Sequence, residues 1–227
     1  MRILFTKTDL DQQYVKNYFG PRVSCHFSDV IQIKTKTVQP FPLDSKALIF
    51  TSINGLQGFL QNGFEINERN KLFCVGKKSA KQLTELGFHV QKTEANAEKL
   101  AEKLIREYAE ESYVHFCGNI ALETISQKLN VHGIDYQKTV VYETEALNPE
   151  ITEEFDAVAF FSPSGVRSFA HQNSLSGLQL FSIGKTTENE IKKLISGPVI
   201  TSLQNTLEDL LKLMKASLQP DSMKFGN

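Results

Sequence analysis

Five places in the chain set small hydroxyl, amide or glycine residues directly after a short apolar run. "IFTSINGL" ends its run at Ser52 and Asn54, and "FFSPSGV" ends at Ser162, Ser164 and Gly165. "CVGKKSA" supplies Gly76 and Ser79, "SIGKTT" supplies Gly184, Thr186 and Thr187, and "FCGN" supplies Cys117, Gly118 and Asn119. Where a strand gives way to a helix, the first backbone N–H groups lack helical partners and carry the positive end of the helix dipole. Such corners attract anions, and small side chains let a ligand approach the amides. The nearby cations Lys7, Lys77, Lys78, Arg167 and Lys185 share that preference. Plain N-capping accounts for any single corner, at about 1 kcal/mol each. A matched set along one sheet edge points instead to binding.

Other chemistries fail on the residues. "IGKTT" contains the GKT of a phosphate-binding loop, but Gln179 stands where that loop needs its first glycine. No GxGxxG follows an apolar run, and no GxSxG offers a nucleophile elbow. The histidines are not paired at metal-ligand spacing, so no metal site is expected. Cys25, Cys74 and Cys117 are scattered and odd in number, which suits reduced, buried thiols in the cytoplasm. A net charge of −1 offers no field for nucleic acid. The opening "MRILFTKTDL" is too short in apolar residues for a signal peptide, and no run reaches transmembrane length. The tail "PDSMKFGN" reads as a frayed terminus.

The elements that position these corners are short Val-, Ile- and Phe-rich runs alternating with amphipathic stretches. Strands are expected at 2–6, 24–28, 47–52, 71–76, 89–93, 113–118, 156–162, 179–184 and 198–201. Helices are expected at 10–18, 54–62, 77–86, 96–110, 120–131, 164–173, 186–195 and 204–217. Regular alternation of this kind gives parallel sheets with helices on both faces. Two extended runs break it: "VIQIKTKTVQP" from 30 and "KTVVYETEAL" from 138, each placed where a helix is due. They suit linker strands that pair antiparallel. The chain also repeats itself. Ser52, Gly55 and Phe59 align with Ser162, Gly165 and Phe169 at a shift of 110, and "LFCVGKKSAKQL" aligns with "LFSIGKTTENEI" at 108. "QIKT" faces "VYET" at 109, so duplication explains the near-constant shift better than generic βα likeness.

Taken in order, "IFTSINGL", "VGKKSA", "FCGN", "VYET", "FFSPSGV" and "IGKTT" resemble the uroporphyrinogen-III synthase family. The resemblance covers almost the whole chain. It departs at Ser79, where the family usually has Thr, and at Leu122, where many members have Arg. It implies two flavodoxin-like α/β domains with parallel sheets, a two-stranded linker ladder, and a ligand cleft between the domains. The implied domains are 1–33 plus 147–227 and 38–138, with linker strands at 34–37 and 139–146. The implied reaction cyclises hydroxymethylbilane to uroporphyrinogen III, with loss of water and inversion of ring D and with no cofactor or metal. Tyr142 in "VYET" is then the catalytic candidate, its alternative being an ordinary strand tyrosine. Thr51, Ser52, Gly76, Ser79, Cys117, Gly118, Asn119, Ser162, Ser164, Gly184, Thr186 and Thr187 are the implied substrate contacts. The expected protein is a cytoplasmic monomer with a small-molecule substrate and neither nucleic-acid nor membrane partners. A non-catalytic binder of a small anion and a nucleotide-dependent enzyme with a degenerate phosphate loop are the alternatives.

Overall fold

The computed structural model describes residues 1–218, so the "PDSMKFGN" tail lies outside the described residues. The chain divides into two compact units: Met1–Gln32 with the chain from Glu145 onward, and Ile33–Thr144. In the first unit β1 (Arg2–Phe5), β2 (Ser24–Phe27), β9 (Ala157–Phe160), β10 (Gln179–Ser182) and β11 (Val199–Thr201) form one sheet. Its spatial order is β2-β1-β9-β10-β11, and every neighbouring pair is parallel. In the second unit β4 (Ala47–Phe50), β5 (Leu72–Val75), β6 (Val90–Glu94), β7 (Tyr113–Gly118) and β8 (Tyr136–Ala146) lie in the order β8-β7-β4-β5-β6, again parallel. Both are the flavodoxin-like arrangement, and the second is reached by a circular permutation of the first. The permutation is what a duplication leaves when the chain crosses between copies.

Burial explains why these runs are strands. β4 and β9 are buried at every position, as apolar strands covered on both faces must be. In the second unit Leu48, Phe50, Phe59 and Phe116 pack on one face, and Ile49, Phe73, Leu100 and Tyr113 on the other. The first unit repeats this, with Ile3, Phe5 and Met214 on one side and Leu4, Val158, Phe160 and Phe169 on the other. The covering helices are amphipathic. They are α1 (Gln12–Phe19), α6 (Pro163–Ala170), α7 (Lys185–Leu194) and α8 (Leu207–Leu218) in the first unit. In the second they are α2 (Ile53–Gln61), α3 (Lys77–Glu85), α4 (Ala97–Glu107) and α5 (Thr124–Val131). No described helix is long and apolar enough to cross a membrane.

Three features differ from expectation. The run from 138 starts earlier than expected: β8 begins at Tyr136, and Tyr136 to Val140 pair in parallel with Tyr113 to Cys117. Beyond that point β8 lies beside β3 (Ile31–Thr35), where Lys36 N donates to Val141 O and Leu147 N to Val30 O. The two bonds run in opposite senses along the pair. β8 thus combines what the first unit's copy splits into β2 and β3. Secondly, α5 starts at Thr124 rather than 120. Asn119 is tied to β8 instead, its N–H donating to Tyr142 O and its Oδ1 accepting from Thr144 N at 2.9 Å. Thirdly, α8 starts at Leu207 rather than 204, because Asp209 gathers the preceding turn through Ser202 Oγ, Leu203 N and Gln204 N.

Candidate active site

Ligands of doubly wound sheets sit beyond the C-terminal strand ends, where the strand order reverses. In the second unit that point lies between β4 and β7, so Thr51 and Ser52 on one side face Gly118 and Asn119 on the other. Ser52 caps α2 in extended geometry (φ −155°, ψ 157°), and its Oγ accepts from Gly55 N at 3.0 Å. The same Oγ lies 3.1 Å from the hydroxyl of Tyr142. Gly55 is required here, since a Cβ would come within 2.5 Å of Phe116 O.

Tyr142 reaches Ser52 through a bulge. The register passes from Cys117–Val140 directly to Gly118–Tyr142, leaving Val141 as the extra residue. Tyr136 packs with the α4–α5 side of the sheet, and simple alternation would send Tyr142 there too. The bulge turns it to the opposite face, beside Phe116 and Val141. There the ring lies on Gly118, where a Cβ would meet Tyr142 Cε2 and Cζ at 2.5 Å. Burial raises the Tyr142 phenol above its ordinary pKa against the lowering effect of the Ser52 bond, so the group stays protonated and can donate.

On the other face of the same edge, Thr51 Oγ1 is 2.9 Å from His115 Nε2, and His115 Nδ1 is 2.7 Å from the Tyr136 hydroxyl. Sequence reasoning missed this pair; a lone histidine inside the apolar run "YVHFCG" was the available signal. Cys117 is enclosed, and burial pushes its thiol up to about 11. Ser79 is also enclosed. Gly76 precedes α3 at φ +82°, a conformation that favours glycine. Among the described residues no ion pair involves Lys77 or Lys78, both of which are exposed.

The first unit reproduces half of this. Ser162 caps α6 at φ −160° and ψ 155°, accepting from Gly165 N at 3.0 Å, with Ser164 Oγ at 3.1 Å. The likeness to Ser52 extends to every angle, but Ser164 takes the place of the tyrosine. Gly184 is extended (φ −179°), so backbone strain does not reserve that position for glycine. The obstacle is Asn205, whose Oδ1 would lie 1.9 Å from a Cβ at residue 184. Thr186 is exposed and Thr187 enclosed. The expected cations here are engaged: Lys7 with Asp9, Arg167 with Glu190, and Lys185 with Glu188. Glu188 and Glu190, both buried, were not expected; only their i, i+3 and i, i+4 lysines hinted at them.

Of the expected residues, Ser52, Gly118, Asn119 and Tyr142 converge on one corner, and Ser162 and Ser164 on another. Gly76 with Ser79, and Gly184 with Thr186 and Thr187, stand on the next strands along each edge. A cavity of about 560 Å³ in the first unit opens at the opposite edge, beside Arg2, Asp156 and Phe155, where strands begin rather than end. Helix N-termini do not converge there, which separates it from the strand-end corners.

The family model described as uroporphyrinogen-III synthase HemD matches residues 23–212. The uroporphyrinogen-III synthetase of Helicobacter pylori 26695 superposes with a TM-score of 0.71 at 19% identity, covering 96% of this chain and 100% of that one. A mutant uroporphyrinogen III synthase from the extremely thermophilic bacterium Thermus thermophilus superposes with a TM-score of 0.69 at 13% identity, covering 97% and 99%. No curated protein sequence matches the chain significantly. At these identities the superpositions establish the fold alone, whereas the family model spans most of the sequence. The chain belongs to the uroporphyrinogen-III synthase family.

Proposed function

We propose that the corner around Tyr142 is where hydroxymethylbilane loses its hydroxyl and begins to close. The chain is a cyclising lyase of tetrapyrrole synthesis by its family. The pyrrole nitrogen pushes out the hydroxyl, which leaves as water and gives an electrophilic azafulvene. Ring D then closes through a spiro-pyrrolenine, which inverts it and gives uroporphyrinogen III. The observation that carries the reading is the Ser52–Tyr142 pair at 3.1 Å on a strand-order reversal. A protonated phenol held there can donate to a departing hydroxyl.

The substrate's acetate and propionate arms are anions, which suits the amides after Ser52 and Gly76 and the exposed Lys77 and Lys78. Thr51, Ser79, Cys117, Gly118 and Asn119 in the second unit, with Ser162, Ser164, Gly184, Thr186 and Thr187 in the first, complete the proposed contacts. Much of the rate then comes from holding a flexible chain in the one fold that inverts ring D. A cytoplasmic monomer is part of this reading, and its cytoplasmic location is supported by three cysteines that are all buried and unbridged.

Tyr142→Phe tests the role of the phenol. Hydrogen-bond assistance of this kind is worth about 10²–10⁴-fold, and nitrogen push lowers the need for it. Turnover should fall by about 10²-fold or less, with Tm retained and the type III isomer still formed. Unchanged turnover per folded molecule would remove Tyr142 from the chemistry.

A further inference from the structure

Thr51, His115 and Tyr136 form a hydrogen-bonded chain that the corner geometry does not require. His115 sits mid-strand in β7 with 2% of its surface exposed, Thr51 follows β4, and Tyr136 opens β8. Lys138 and Glu123, paired with each other, act on the imidazole from β8 and the turn before α5. Burial, reinforced by Lys138, lowers the His115 pKa to about 4, so the ring is neutral at physiological pH. A neutral imidazole has a single N–H; it donates at one nitrogen and accepts at the other.

The phenol decides which nitrogen is which. Burial raises the pKa of Tyr136, so its O–H is retained, and among the described residues His115 Nδ1 is its one hydrogen-bond partner. A proton on Nδ1 would leave that half-buried O–H without an acceptor. With Tyr136 donating into Nδ1, the ring proton lies on Nε2 and is donated to Thr51 Oγ1. The hydroxyl proton of Thr51 is then turned away from the imidazole. At a strand-end corner, that makes Thr51 a donor for an anion rather than an acceptor.

We propose that Tyr136 and His115 are positioning residues that fix Thr51 as a hydrogen-bond donor to a carboxylate of the substrate. The inference rests on the substrate reading given above, but its first test does not. Histidine-selective ¹⁵N NMR on the full chain reads the tautomer, with the His115 signals assigned by their loss in His115→Gln. Wild type should carry its proton on Nε2, and Tyr136→Phe should show both tautomers. Thr51→Val should raise KM for hydroxymethylbilane about 10-fold, the loss of one bond to a charged group, and Tyr136→Phe only by the inverse of the remaining Nε2–H fraction, about twofold for an even mixture, each with kcat within about twofold. The double variant should be no worse than Thr51→Val alone. An Nδ1-protonated or evenly mixed wild type, or KM penalties that multiply in the double variant, overturns the proposal. A chain that makes no type III isomer would sink the substrate reading, while the tautomer would still be readable.

Discussion

Tyr142 owes its position to one extra residue in β8 and one missing side chain in β7. The bulge at Val141 turns the ring, and Gly118 gives it room. Gly118 was legible as a corner residue, but the tyrosine on the neighbouring strand that needs its missing side chain was not. The bulge was not legible, because periodicity in "KTVVYET" does not say where the partner strand slips. A methyl at residue 118 would press on Tyr142 Cε2 and Cζ at 2.5 Å, so Gly118→Ala must displace the ring. Overpacking of this kind costs about 1–3 kcal/mol. Gly118→Ala should therefore lower both Tm and turnover, whereas in a Tyr142→Ala background the same change should cost almost nothing more. Equal costs in both backgrounds, measured as a double-mutant cycle, would show that the ring does not rest on Gly118.

At the level of elements, two asparagines do matching work that the repeat alignment did not single out. Asn62 closes α2: its Oδ1 accepts from Val38 N while its Nδ2 donates to Lys36 O and Gly58 O. Asn173 follows α6 and does the same with Ile151 N, Pro149 O and Phe169 O. Each ties the segment leaving the β3–β8 pairing to the helix of its own unit. The pair was visible as "QNG" and "HQNS", but its bonds run to chain without regular structure, which carries no periodicity to read. Asn62→Ala and Asn173→Ala should each destabilise by about 2 kcal/mol, since several partly buried backbone groups lose their partners. Urea unfolding checks this, and a loss below ~0.5 kcal/mol, the size of an ordinary surface change, would deny the clamp.

Glu188 belongs to the same scale. It stands in the first turn of α7 and accepts from Lys185, Lys192 and Thr201, which hold its carboxyl at about 2 rather than the ordinary 4.5. A depressed carboxylate stabilises fully above its unfolded pKa and loses that contribution as the pH falls toward its folded pKa. The Tm gap between wild type and Glu188→Gln should therefore be widest near neutrality and shrink between pH 4.5 and about 2. A gap that does not change with pH would show that the carboxylate's charge contributes nothing.

For the whole molecule, alternation and the repeat shift carried the fold far. The βα strands of both sheets are parallel as expected, and the helices lie within a few residues of their expected spans, shifted where side chains capture the backbone first, as at Asn119 and Asp209. The copies are alike in their capping serines and unlike where chemistry is proposed: opposite Tyr142 the repeat has Ile33. One copy thus has only the proposed anion-binding corners, and the other adds a phenol to them. Buried polar partners such as His115 were the part left unread, because alternation marks a residue as inward-facing without saying what it meets. On the proposed function, this chain directs ring closure. Hydroxymethylbilane closes without help to the type I isomer. Incubating it with the purified protein, with no metal or nucleotide added, and separating the oxidised porphyrins by isomer tests that claim directly. Predominantly type III is expected; type I alone from folded protein would refute the proposed activity.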